Sequence, residues 1–224
     1  MNKLIIWDFD GVIADSEKIY LRNRQNYFNQ NLHLNWDFTT TINNICGLSD
    51  LSNREFLRNM GYETNDKFWS DLIKIHEKIL NTDGLSPTKG IENIIKKIPK
   101  QCIATGGVKH RTITKLNLIG FWQKYFNEQN LFTVDMVKRG KPAPDLFLYA
   151  ANKMNIEIQN CIVIEDSIAG IKAAQKANMD IIAFLGSEIC QNDFYIKSIK
   201  NTGVEKICFS MDDVDRYLSD NNVY

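Results

Sequence analysis

Residues 5–16 read IIWDFDGVIADS. A short apolar run ends in two aspartates, Asp8 and Asp10, and Gly11 follows at once. Aspartate is a poor strand former and is costly to bury without a partner. A buried strand that ends this way needs either compensating charge or a turn that leaves the carboxylates in water. Asp-Gly is a common turn pair, so the stretch alone supports both readings. Its chemical reading is a nucleophilic carboxylate pair that holds a metal. Mg2+, a hard cation with oxygen ligands, suits such a pair and often bridges to substrate phosphate.

The rest of the chain favours a parallel α/β sheet. Short apolar runs at 4–7, 102–104, 131–134, 161–164, 181–184 and 206–209 read as strands. Helical patterns at 91–98, 108–118, 143–154 and 168–177 lie between them, and that alternation implies a sheet covered on both faces. One gap breaks the rhythm. Between 16 and 85 the sequence reads only as helix, at 17–31, 36–42, 51–60 and 66–80. In the first of these, Ile19, Tyr27 and Phe28 mark an apolar stripe, with Arg22, Arg24 and Gln25 around it. The expected organisation is an α/β core domain of 1–15 and 86–224 with a helical unit, 16–85, inserted after the first strand. Ligands of open α/β sheets bind beyond the carboxyl ends of the strands. Asp8 and Asp10 are at such an end, and the insert is placed where a lid is expected.

Composition removes several classes of function. The 224 residues carry 27 Lys plus Arg and 27 Asp plus Glu, which leaves no basic field for nucleic acid or an anionic membrane. No apolar stretch is long enough to cross a bilayer, and the N-terminal apolar run is too short for a secretory signal. The expectation is a cytoplasmic protein, a monomer with a dimer as the alternative. Five cysteines without a C-x-x-C pair argue against zinc and disulfide frameworks. Cys102, Cys161 and Cys208 read as small core residues.

Three further stretches join the first. In CIATGGVKH a strand ends in Thr105-Gly106-Gly107 and a helix begins. This is a strand-to-helix turn or an anion cradle of the Thr105 hydroxyl, the Gly106 amide and the helix start. In KRGKPAPDLF the prolines and Asp145 explain a helix start but leave Lys141 unexplained, except as a fixed positive charge. In CIVIEDSIAG an apolar strand ends in Glu165-Asp166, and Asp166 or Ser167 could cap the next helix. A parallel sheet gathers these strand ends along one edge.

Taken together, DFDGVIADS, the TGG after a strand, GKPAPD and IEDSIAGIKAA resemble the motifs of the haloacid dehalogenase superfamily. Their order and the helical insert match its members with a helical cap, most of all the sugar-phosphate phosphatase and β-phosphoglucomutase branch. The resemblance implies a Rossmann-like core with an inserted cap domain. It implies Asp8 as nucleophile and Asp10 as acid/base. Mg2+ would be held by the Asp8 carboxylate, the Asp10 backbone carbonyl and Asp166, with Glu165 assisting. Thr105, Gly106 and Lys141 would hold the phosphoryl oxygens. Gly47, Leu48 and Ser49 of the cap, with Arg54, Lys74 or His76 as further candidates, would face the substrate, although a solvated helix face is the simpler reading for those last three. The implied partner is a small phosphate ester. Dehalogenation is disfavoured because dehalogenating members lack the second acid, here Asp10. Mutases of the branch carry a His where Tyr20 stands and an Arg where Asp50 follows Gly47-Leu48-Ser49, so hydrolysis is expected over mutase chemistry. A purely binding role would predict a missing nucleophile, acid or lysine, and all three are present.

Overall fold

The computed structural model describes residues 3–46, 48 and 50–224. Among them six parallel strands form one sheet: β1 (Leu4–Trp7), β2 (Gln101–Thr105), β3 (Leu131–Thr133), β4 (Cys161–Glu165), β5 (Asp180–Phe184) and β6 (Lys206–Cys208). Their order is β3-β2-β1-β4-β5-β6. The chain therefore winds out to one side of β1 and then to the other, and the order reverses between β1 and β4. Such a switch point leaves a crevice beyond the carboxyl ends. All four residues of β1 and all five of β4 are buried, as two covered faces require.

Among the described residues the α-helices are α1 (Glu17–Leu32), α2 (Phe38–Ile45), α3 (Asp50–Asn59), α4 (Asp66–Asp83), α5 (Ile91–Ile95), α6 (Lys109–Leu118), α7 (Asp145–Lys153), α8 (Ile168–Lys176), α9 (Asp193–Lys200) and α10 (Met211–Asp220). No helix among the described residues is long and apolar enough to cross a membrane. The chain divides into two compact units, Met1–Asp15 with Ser86–Tyr224, and Ser16–Leu85. In the first, α7 and α8 lay Leu146, Phe147, Ala150, Ala173 and Ala174 against Leu4, Ile6, Cys102, Ala104 and Val163 of the sheet. Small residues on α8 allow a close approach of helix to strand. Cys102, Cys161 and Cys208 are core residues, and burial pushes all three thiols up, Cys161 and Cys208 to about 11.

The second unit packs Leu21 and Phe28 of α1, Ile45 of α2, Leu57 of α3 and Trp69 and Leu72 of α4. The inward face of α1 runs through Leu21, Arg24 and Phe28, so Ile19 and Tyr27 are only half-buried and Arg24 is not on the outer face as expected. An ion pair with Asp50, 2.9 Å from Nη2, compensates the buried Arg24. The second helix starts at Phe38 rather than Trp36 because Asp37 caps it, accepting from the Thr40 amide at 2.7 Å. Val134 opens a 3-10 turn instead of ending β3. The sequence reading did not include α9 and α10.

Candidate active site

The register fixes where the motif residues meet. Trp7 pairs with Ile103 on one side and Ile164 on the other. The next amide, that of Asp8, still donates to the Ile164 carbonyl at 2.9 Å. Asp8 thus stands level with Glu165, the last residue of β4, and one residue short of Thr105, the last of β2. Asp8, Thr105, Glu165 and Asp166 are all buried. Carboxylate oxygens of Asp8, Glu165 and Asp166 lie within 4.8 Å of one another.

Lys141 closes this cluster. Its ammonium donates to Asp8 Oδ1 and Glu165 Oε2, each at 2.6 Å, and its side chain is 8% exposed. The peptide bond that follows it, to Pro142, is cis. The other Glu165 oxygen, Oε1, accepts from the Ser167 amide at 3.0 Å and the Ser167 hydroxyl at 2.7 Å. Ser167 is also the N-cap of α8, accepting from the Gly170 amide at 3.0 Å. One serine therefore both starts the helix and aims the carboxylate.

Burial, and then the neighbouring Glu165 charge, push the Asp8 carboxyl up to about 7, although Lys141 opposes them. Burial alone would lower the Lys141 ammonium; the charges of Asp8 and Glu165 and their hydrogen bonds outweigh it and hold the lysine protonated well above its usual range.

Two glycines make room for the carboxylates. A Cβ on Gly11 would lie 1.9 Å from Asp166 Oδ2, and Gly11 has φ +83°. A Cβ on Gly170 would lie 2.0 Å from Glu165 Oε2. Any side chain at either position would displace a carboxylate of the cluster. Tyr195 of α9 adds a hydrogen bond from its hydroxyl to the Asp166 carbonyl at 2.8 Å.

The donor set suits a hard divalent cation. Three clustered carboxylates share a buried space with one ammonium, which pairs with two of them. Oxygen-only donors match Mg2+ rather than a softer metal.

The Thr105 side chain is turned into its own loop, where its hydroxyl accepts from the Gly107 amide at 3.1 Å. Gly106 is exposed, and nothing lies within 4 Å of where its Cβ would be. The first amide of α6, that of Lys109, already donates to Asp135 Oδ1 at 3.2 Å. Asp10 lies in the turn after β1, and both its oxygens accept from Lys115 Nζ, at 2.5 and 2.6 Å. Sequence reasoning did not single out Lys115. The only signal was its spacing from Thr112 and Leu116, the other inward positions of α6.

Within the helical unit, Leu48 is half-buried and its carbonyl accepts from Asn53 Nδ2 at 3.2 Å. Gly47 and Ser49 lie outside the described residues. Arg54 pairs with Asp66 at 2.7 Å and stacks over Trp69, while Lys74 is exposed and pairs with Asp71. His76 differs from expectation. Its spacing from Trp69, Leu72 and Leu80 puts it on the buried face of α4, with its ring 4.8 Å from that of Tyr20.

The sequence profile described as haloacid dehalogenase-like hydrolase matches residues 5–184. A haloacid dehalogenase-like hydrolase domain-containing protein of Arabidopsis thaliana is 24% identical over 222 residues, spanning 84% of this chain and 70% of that one. A phosphorylated carbohydrates phosphatase of Thermotoga maritima is 25% identical over 191 residues, spanning 80% of this chain and 82% of that one. A haloacid dehalogenase-like protein from Agrobacterium tumefaciens shares the fold with a TM-score of 0.87, at 21% identity over 99% of this chain and 100% of that one.

Proposed function

The chain belongs to the haloacid dehalogenase-like hydrolase family, and from that premise we propose that it is a Mg2+-dependent phosphatase of a small phosphate ester, such as a phosphorylated sugar or sugar acid. The observation that carries this reading is the buried set of Asp8, Glu165 and Asp166 closed by Lys141. Phosphoryl transfer depends above all on positioning and on charge neutralisation. A relative that acts on phosphorylated carbohydrates supports the substrate class.

In the proposed reaction an Asp8 oxygen forms a bond to phosphorus as the bond from phosphorus to the ester oxygen breaks. Asp10 gives its proton to that leaving oxygen. A water oxygen then attacks the aspartyl-phosphate, Asp10 takes the water proton, and the Asp8 carboxylate is restored. Lys141 and Thr105, with the Gly106 amide, hold the phosphoryl oxygens, and Glu165 keeps Lys141 in place. Asp8, Asp166 and the Asp10 carbonyl are assigned to Mg2+, which when bound supplies positive charge against the phosphate. The helical unit is assigned the choice of ester, through Gly47, Leu48 and Ser49. Hydrolysis is preferred to β-phosphoglucomutase-type transfer because an acid, Asp50, stands where that chemistry would need a second phosphate grip, and Asp50 is engaged by Arg24.

The test is phosphate release from hexose phosphates, sugar-acid phosphates, phosphoglycolate and nucleotides, with and without Mg2+, against Asp8→Asn. Release that requires both Mg2+ and Asp8 is expected. Folded wild-type protein that releases phosphate from none of them would overturn the reading.

A further inference from the structure

Lys115 is a buried cation that the reaction as written does not use. It lies on the inward face of α6 beside Thr112 and Leu116, with its side chain 6% exposed. Its ammonium is 4.8 Å from the centre of the Phe9 ring and donates to both oxygens of Asp10. Burying a lysine is costly, and a buried ion pair seldom repays the desolvation. The Asp10 side chain is 25% exposed, so water could solvate it without a lysine. An apolar residue would fill that face of α6 more cheaply. Fold stability therefore does not account for Lys115.

What Lys115 does is fix the direction of one carboxylate. The Asp10 backbone is already held in a tight turn, where the Ile13 and Ala14 amides donate to the Phe9 carbonyl at 2.9 and 3.0 Å and the Gly11 amide to the Ala14 carbonyl at 2.8 Å. The two contacts to one ammonium restrain both oxygens of the Asp10 carboxylate. We propose that Lys115 is a positioning residue that holds the Asp10 carboxylate for the second half of the reaction. The proposal rests on the phosphatase reading above. In that half a water oxygen bonds to phosphorus and the bond from phosphorus to the Asp8 oxygen breaks, its electron pair returning to Asp8. The water proton passes to an Asp10 oxygen. A carboxylate aimed at the water serves this step, whereas the first half needs Asp10 in its protonated form, for which two contacts from an ammonium offer no advantage.

The two halves separate with p-nitrophenyl phosphate as the probe, because the departing nitrophenolate needs no proton. The initial burst of nitrophenolate reads phosphoenzyme formation and the steady rate reads its breakdown. Lys115→Met keeps an unbranched apolar side chain of similar length and removes the charge that lies over Phe9. It is expected to lower kcat and KM together by about tenfold, with kcat/KM within about twofold of wild type and a burst near one per enzyme. Lys115→Gln, which keeps one donor, should fall between the two and carries the test if the methionine variant does not fold. A merely structural role would lower kcat and burst amplitude together at unchanged KM, and that result, or wild-type kinetics in the variant, would overturn the role of Lys115. A wild type that gives neither nitrophenolate nor phosphate from any ester of the panel would overturn the phosphatase reading beneath it.

Discussion

The α/β unit buries a cluster of charge at its strand ends, beside an apolar core, where the helical unit gathers aromatic rings. In the first, Asp8, Glu165, Asp166 and Lys141 are buried together at the strand ends, and glycines 11 and 170 give way to them. In the second, rings meet rings. Phe28 stacks on Phe68 at 5.8 Å between centroids and meets the edges of Trp36 and Trp69, while Phe68 and Trp69 lie 5.4 Å apart. A cluster of charge tolerates almost no substitution, because each member compensates another. A cluster of rings mainly requires volume and apolarity. On the proposed function, the contrast puts the chemistry in the α/β unit.

The sharpest way to break this contrast is Lys141→Ala. It leaves Asp8 and Glu165 facing each other without their shared cation. Turnover is expected to fall on the order of a thousandfold, measured as Mg2+-dependent phosphate release. A drop of only a fewfold would return the GKPAPD stretch to a helix start. The counterpart in the helical unit is Phe28→Ala. It empties the centre of the ring cluster and should cost about 3 kcal/mol of stability, read by denaturant unfolding, while protein that remains folded keeps measurable turnover. Complete loss of turnover in folded Phe28→Ala would erase the division of labour.

The smallest effect belongs to the surface of the α/β unit. Hydrogen bonds from Lys124, Tyr125 and Lys96 hold the Glu92 carboxyl down at about 2, below its ordinary 4.5. A depressed carboxyl contributes stability that is present above its unfolded value and is lost as pH falls through its folded one. Glu92→Gln should therefore remove a little stability above pH 4.5 and flatten the decline toward pH 2, with turnover unchanged. Thermal melting across that range checks it, and an identical profile in the variant would show that these exposed contacts contribute nothing, as is common for surface ion pairs.

Much of the fold was legible in the sequence because a parallel sheet leaves two plain signals. Its strands are continuous apolar runs, and its helices carry an apolar period between them. β1 begins and ends where the run LIIW does, and Ser167 proved to be the cap of α8. The helices α9 and α10 were harder to see, since each buries only two or three residues, Tyr195 and Ile199 in one and Met211, Val214 and Leu218 in the other. The motifs could be read because acids at strand ends contradict local propensity and a lysine between Gly140 and Pro142 at a helix entry is not explained by that entry. Lys115 could not, since a lysine in the last turn of a helix obeys propensity and reads as a solvated residue until the fold buries it. His76 and Arg24 were hidden for the same reason, polar residues on faces whose direction only packing decides.

The central claim is that Asp8 carries the phosphoryl group. Acid-quenched protein, taken during turnover of its best ester and reduced with borohydride, would convert an aspartyl-phosphate to homoserine, which peptide mass spectrometry locates. Homoserine at position 8, and none in Asp8→Asn, is the predicted result. Homoserine at position 10, or turnover without any trapped residue, would contradict the assignment.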